Sequence, residues 1–312
     1  MLSEESKQEM EPNWALARKK RTLRERARIV QTIRAFFIQH DYLEVETPHR
    51  VPGNAPERHI EAVASGELFL HTSPELPMKR LLAAGYERLF QICRVWRDRE
   101  RGRRHLPEFT LLEWYRAGAD YTVLMDECVE LLTALCPGRI ITWQGQKVSL
   151  APAWERLTVA EAFNRHAGCS AEEALVADRF EEVLSGEVEP QLGRGKPTIL
   201  YEYPSELAAL ARKKPGEPSV AERFELYICG LEIANSFSEL VDPAEQRERF
   251  EADEAERRAA GLQPYPIPEK FLEEMPAMPP AAGIAMGLDR LVMLLTDAPT
   301  IDEVVTFTPE EL

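Results

Sequence analysis

The chain has 312 residues, 44% of them hydrophobic, with 53 acidic against 38 basic side chains and a formal net charge of −15. That apolar content builds a substantial core, yet no run approaches the ~18 apolar residues of a membrane helix. A field of this sign repels a phosphate backbone and argues against a broad nucleic-acid surface. The basic run Arg18 to Arg21 has no apolar stretch after it, so it does not read as a secretory leader, and the cytoplasm is the expected compartment. Cys93, Cys128, Cys136, Cys169 and Cys229 are odd in number and scattered, which predicts reduced thiols rather than a disulfide or zinc framework.

The first 21 residues are polar and aperiodic, a loosely ordered lead to one domain over residues 22–312. From Thr22 to His40 the apolar positions Leu23, Ala27, Val30, Ile33, Phe36 and Phe37 keep the helix period. Tyr42 to Pro48 alternates as a strand closed by proline, and residues 51–61 read as loop. A short strand over 67–71 leads into a helix through about Ala84, with Pro74 in the favoured first turn. Two strands, 89–96 and 110–117, flank an arginine-rich loop, and an amphipathic helix covers 122–135. A short strand follows near 140–143, then helices near 158–166 and 171–184. Strands are expected at 199–203 and 224–233, a charged helix at 243–261, a proline-rich loop at 262–280, and a final strand and helix at 283–287 and 289–295. Antiparallel strands grouped in the middle with helices around them predict an α+β fold.

Between positions 94 and 104 stand Arg94, Arg97, Arg99, Arg101, Arg103 and Arg104, against only Asp98 and Glu100. Such a local cationic cluster in an acidic chain suits a small polyanion such as a nucleoside triphosphate. An arginine at a strand end, here Arg97, can fork onto a phosphate and neutralise charge that grows during attack on it. Phe109, on the returning strand, offers a flat face to a base. Arg290 heads the last helix, where its guanidinium can stack on the other face, and Gly287 permits close backbone approach. Glu232 and Glu239 sit among Leu231, Ile233, Phe237 and Leu240, a poor setting for solvated charge.

Three blocks matter together: the helix and strand ending Glu44-Val45-Glu46-Thr47-Pro48, the run from Cys93 to Thr110, and Gly283-Ile284-Ala285-Met286-Gly287-Leu288-Asp289-Arg290. In this order they resemble motifs 1, 2 and 3 of the class II aminoacyl-tRNA synthetases. Thr72-Ser73-Pro74-Glu75, Glu108 to Tyr115, and Glu225 to Leu240 look like the substrate segments of the lysine branch. The resemblance implies ATP bound by Arg97, Asp98, Arg99, Glu100, His105, Leu106, Phe109, Glu232, Ile233, Gly287 and Arg290, with Arg97 and Arg290 catalytic. It implies a lysine-like substrate held by Ser73, Pro74, Glu75, Glu113, Tyr115, Asn235, Glu239 and Ala285, and magnesium gathered by Glu225, Glu232 and Glu239.

Three positions depart from the pattern: Arg99 where glutamate is usual, Leu106 where asparagine is usual, and Ser236 in place of glycine. Motif 1 begins near residue 22, which leaves no room ahead of it for an anticodon-binding domain. The whole resembles the elongation factor P lysine ligase family. That resemblance implies (R)-β-lysine or lysine as substrate, elongation factor P as acceptor, a homodimer, no stable tRNA binding and no membrane. A truncated lysyl-tRNA synthetase and a non-catalytic synthetase-like regulator are the competing expectations.

Overall fold

The protein is described by a computed structural model over residues 14–58, 60–151, 153–208 and 210–312. Helix α1 (Trp14–Gln39) leads through β1 (Leu43–Glu44) and β2 (Arg50–Val51) to β3 (Ala64–Ser65) and β4 (Leu68–Leu70). Then come α2 (Glu75–Ala83), β5 (Arg88–Trp96), β6 (Glu108–Ala117), α3 (Tyr121–Leu135), β7 (Ile140–Trp143) and β8 (Gln146–Ser149). The middle holds β9 (Glu155–Thr158), α4 (Val159–His166), α5 (Ala171–Val176), α6 (Phe180–Val183), β10 (Thr198–Pro204) and β11 (Lys213–Lys214). The last part is β12 (Glu217–Ile228), β13 (Leu231–Ser238), α7 (Pro243–Ala259), α8 (Glu269–Glu274), β14 (Ala281–Gly287) and α9 (Leu288–Leu295).

The fold is α+β, as expected. Its main sheet runs β1-β5-β6-β14-β13-β12-β10-β9, with β11 paired to β12. Only the pairs β1–β5 and β9–β10 are parallel.

Period-two alternation divides the sheet into two chemically different faces. On β6, Leu112 and Trp114 join Phe37 of α1, Leu124 and Leu131 of α3, and Leu291 of α9 in the main core. Phe109, Leu111, Glu113 and Tyr115, between them, turn to the opposite face. Pairing of β6 with β14 and of β14 with β13 sets Glu113, Ala285 and Asn235 side by side, with Tyr115, Gly283 and Phe237 in the next row. Three distant segments of sequence thereby line one surface.

That surface is roofed by the loop after β2 and by α2. The loop is pinned from α7 by Arg257, which is 0% exposed. Its Nη1 donates to the carbonyls of Glu57 (2.6 Å) and Ile60 (2.7 Å), and its guanidinium lies over Tyr265. The sequence pattern of α7, a charged surface helix, hides this inward-facing arginine.

Several expectations need correction. Helix α1 already begins at Trp14, so residues 14–21 belong to it; residues 1–13 of the expected lead lie outside the described residues. The strand expected at 224–233 is two strands of a hairpin. Cys229 and Gly230 both hold positive φ, 55° and 69°, as a two-residue hairpin turn that follows the right-handed sheet twist requires. Only Leu43–Glu44 of the 42–48 segment pairs in the sheet, and α8 interrupts the 262–280 loop. The five cysteines are free, three of them buried. No helix among the described residues is long and apolar enough to cross a membrane.

Candidate active site

Two pockets lie on the open face of the sheet. Glu57, Arg97, Asn235 and Ala285 line both, so the two are compartments of one cleft.

The first compartment is acidic. Glu113 is 1% exposed and Glu239 is fully buried. Ser73 Oγ donates to Glu113 Oε1 at 2.6 Å, and Tyr115 Oη donates to its Oε2 at 3.0 Å. Burial, reinforced by the charge of Glu75, pushes the Glu113 carboxyl up to about 8. Burial likewise raises Glu239, against the opposing pull of Lys79. Lys79 lies 2.5 Å from both Glu75 and Glu239 and over the ring of Phe237. Burial disfavours its ammonium, but Glu239 and Glu75 outweigh that and hold its pKa above the ordinary value. Glu239 Oε1 has no hydrogen-bond partner among the described residues. It faces Gly283, where any Cβ would collide with it and with the Tyr115 ring, so glycine is obligatory there. Buried carboxyl oxygens without donors are the complement of a cationic ligand.

The second compartment, cationic at Arg97, Arg104 and Arg290 but lined as well by Glu57, Glu100, Glu232 and Asp289, is flat-sided. Arg97 stands at the end of β5 with its guanidinium 5.2 Å from the centre of the Phe109 ring. Its buried Nε has no hydrogen-bond partner among the described residues. Glu100, Arg104, His105, Leu106 and Gly287 complete the walls with Arg290. Arg290 Nη1 donates to the carbonyl of Glu232 at 3.0 Å and to its Oε2 at 3.2 Å, and Nη2 meets His105 Nε2. Burial and the neighbouring Arg290 lower the His105 pKa, so the ring is neutral and able to accept. Behind Arg290, Asp289 accepts from the Thr110 amide at 2.9 Å and pairs with Arg26 of α1 at 2.5 Å. This buried link ties the strand that carries Phe109 to the helix that carries Arg290.

The matching family over residues 13–311 is that described as tRNA synthetases class II (D, K and N). The chain belongs to this class II family. It is 39% identical to a lysine–tRNA ligase of Moorella thermoacetica, over 90% of this chain and 64% of that protein. It is 40% identical to an elongation factor P–(R)-β-lysine ligase of Erwinia tasmaniensis, over 92% of this chain and 94% of that protein. A protein of the same description from Haemophilus influenzae is 42% identical, over 90% of this chain and 93% of its own length. The chain thus spans less than two thirds of the lysine–tRNA ligase but nearly all of the two elongation factor P ligases.

Most residues singled out by the class II resemblance converge on the cleft. Ser73, Glu75, Glu113, Tyr115, Asn235 and Ala285 line the acidic compartment, and Glu239 contacts it through Gly283. Arg97, Glu100, His105, Leu106, Phe109, Glu232, Ile233, Gly287 and Arg290 line the cationic one. Pro74 instead caps α2 and shapes the backbone. Asp98 and Arg99 line neither compartment; their side chains are 50% and 82% exposed, and Arg99 adopts φ 63° as the chain turns outward.

The three glutamates expected to gather magnesium do not assemble. Glu239 is held by Lys79, while Glu225 takes hydrogen bonds from Tyr203, Tyr227 and Arg223. Glu232 pairs with Arg290. Among the described residues no group of three His, Cys, Asp or Glu is poised to hold a metal. Burial raises the Glu225 carboxyl against the pull of Arg223, and the charge of Glu232 across the β12–β13 hairpin adds to the rise.

Sequence reasoning missed Glu57, Lys79, Arg223 and Arg257. Arg223 lies two residues before Glu225 on one strand, and Lys79 one helical turn after Glu75, so both were reachable by periodicity. Glu57 and Arg257 carried no local signal.

Proposed function

We propose that the protein activates (R)-β-lysine or lysine with ATP as an acyl-adenylate and transfers the acyl group to a lysine side chain of elongation factor P. The observation that carries this reading is the junction of an acidic, amine-accepting compartment with a cationic, flat-sided one at Arg97. A substrate with two amines and one carboxylate would place its ammonium groups among Glu75, Glu113 and Glu239 and its carboxylate toward Arg97. ATP would lay its base on Phe109, its α-phosphate at Arg97 and its outer phosphates toward Arg290.

In the first step a substrate carboxylate oxygen bonds to the α-phosphorus as the bond to pyrophosphate breaks. That oxygen is already ionised at neutral pH and needs no base. Arg97 neutralises the charge that grows on the phosphate, and positioning supplies much of the rest. Magnesium favours few carboxylates together with phosphate oxygens, and Glu232, with Glu225 behind it, is the pair that would hold it. The ion would neutralise triphosphate charge. In the second step the amine of the acceptor attacks the acyl carbon, an amide forms and AMP leaves.

Near-complete mutual coverage with the elongation factor P ligases supports that acceptor. The class II kinship with lysine–tRNA ligases keeps tRNA charging as the competing reading. Mass spectrometry of elongation factor P after incubation with the protein, ATP and each lysine isomer tests the proposal. A mass increase of one lysyl unit is expected, largest with (R)-β-lysine; faster charging of tRNA than of elongation factor P would overturn it. The assembly we propose is a homodimer through α1 and the segment after it, where Ile38 and Leu43 are 60% and 49% exposed. Light scattering that found a stable monomer at micromolar concentration would count against this.

A further inference from the structure

An amine that attacks an acyl-adenylate must lose a proton, and nothing assigned so far receives it. The attacked carbon lies where the acidic and cationic compartments meet. Four residues line both sides of that junction: Glu57, Arg97, Asn235 and Ala285. Arg97 stays protonated in proteins, and the asparagine amide and the alanine methyl are not bases. Among the described residues that line both compartments, only Glu57 can accept a proton there. We propose that Glu57 is the catalytic base of the transfer step. The inference rests on the reading of the protein as a ligase whose acceptor is an amine.

The setting of Glu57 suits that task. Its backbone is fixed, because its carbonyl accepts from the buried Arg257. Its carboxylate takes no hydrogen bond or ion pair among the described residues, so its lone pairs are free. The charged groups acting on it are Arg97 at the end of β5, Glu75 on α2, Arg223 on β12 and Asp253 on α7. Burial raises it to about 7, against the pull of Arg97, which leaves it basic near neutral pH.

The step balances. The amine nitrogen bonds to the acyl carbon, the bond from that carbon to the phosphate oxygen breaks, and AMP departs with the electron pair. At neutral pH the acceptor's ammonium first gives one proton to a Glu57 carboxylate oxygen and so to solvent, which frees the nitrogen lone pair; the second proton leaves nitrogen as the amide forms and follows the same route.

The test uses the full chain, with pre-formed adenylate mixed with three acceptors: elongation factor P, n-butylamine and hydroxylamine. Hydroxylamine is unprotonated at neutral pH and loses its proton to water once it has attacked. For Glu57→Gln, the rate of transfer to the two amines, relative to the variant's own pyrophosphate exchange, should fall roughly 100-fold or more. Trapping by hydroxylamine should fall far less, and Glu57→Asp should recover part of the amine transfer. The exchange assay also reports whether the variant is folded. Equal losses in exchange, amine transfer and hydroxylamine trapping would overturn the assignment, since they would make Glu57 a binding or structural group. Wild type that acylated n-butylamine but not elongation factor P would refute that acceptor, while the Glu57 comparison on n-butylamine would still decide the base.

Discussion

Glu113 and Glu127 are both buried carboxyls beside strand β6, one on each face of the sheet, and the fold treats them in opposite ways. On the helix-covered face, Glu127 accepts from Tyr42 Oη at 2.8 Å, Trp114 Nε1 at 2.9 Å and Arg116 Nη1 at 2.7 Å. Its charge is balanced within the chain. On the open face, Glu113 receives only two neutral hydroxyls and stands near Glu75 and Glu239, so burial and like charge push it up to about 8. The difference separates structure from function. A carboxylate satisfied by its own chain holds elements together, whereas one left short of positive charge is completed by a ligand.

The largest expected effect is on the open face. Arg97→Ala and Arg290→Ala should each cut lysine-dependent pyrophosphate exchange by roughly 100-fold or more, because each removes charge matched to the triphosphate. Near-normal exchange in both variants would mean that the cleft has been misread. On the covered face, Glu127→Gln should instead cost about 1–3 kcal/mol in urea unfolding, since it replaces a buried carboxylate that accepts from Tyr42, Trp114 and Arg116 by a neutral amide. Glu113→Gln should leave stability near or above wild type at pH 8 while raising KM for lysine. Equal stability losses in the two variants would erase the contrast.

A smaller effect concerns the substrate. Ala285 stands between the compartments, paired with Asn235 on one side and Glu113 on the other. Its methyl group should disfavour an α-amino group and tolerate one moved a carbon along the chain. Ala285→Gly should therefore raise activity with lysine relative to (R)-β-lysine, by roughly 10–200-fold at most. An unchanged ratio would remove Ala285 from the specificity argument.

The smallest effect is a proton. The folded pKa of Glu113 lies above its ordinary value of 4.5, at about 8, so the free protein holds a proton there that the unfolded chain has already lost. Stability from this group is present below pH 4.5 and declines as pH rises toward about 8. A bound ammonium favours the carboxylate, so lysine binding at pH 7 should release up to one proton and tighten as pH rises toward 8. Calorimetry in two buffers of different ionisation enthalpy measures this; proton uptake on binding would contradict the sign.

Much of this contrast was legible along the chain. The three motif blocks named Arg97, Phe109, Gly287 and Arg290 before any tertiary contact was known, while alternation on β6, seen in the structure, puts Glu113 and Tyr115 on one face with Phe109. No local pattern could tell that Glu239, which the resemblance groups with Glu225 and Glu232, ends beside Lys79 of a helix more than a hundred residues earlier. Asp98 and Arg99 stand outside the two compartments, where the chain turns at the positive φ of Arg99.

Local periodicity and side-chain type, set by backbone geometry over a few residues, were enough to expect the α+β fold, and the three motif blocks carried the resemblance to the family. Tertiary structure alone decided which buried carboxylates are balanced and which are left open. That depends on where Lys79, Arg223, Arg257 and Glu57 arrive from distant segments, and burial makes the charge of each group depend on neighbours the local pattern cannot name.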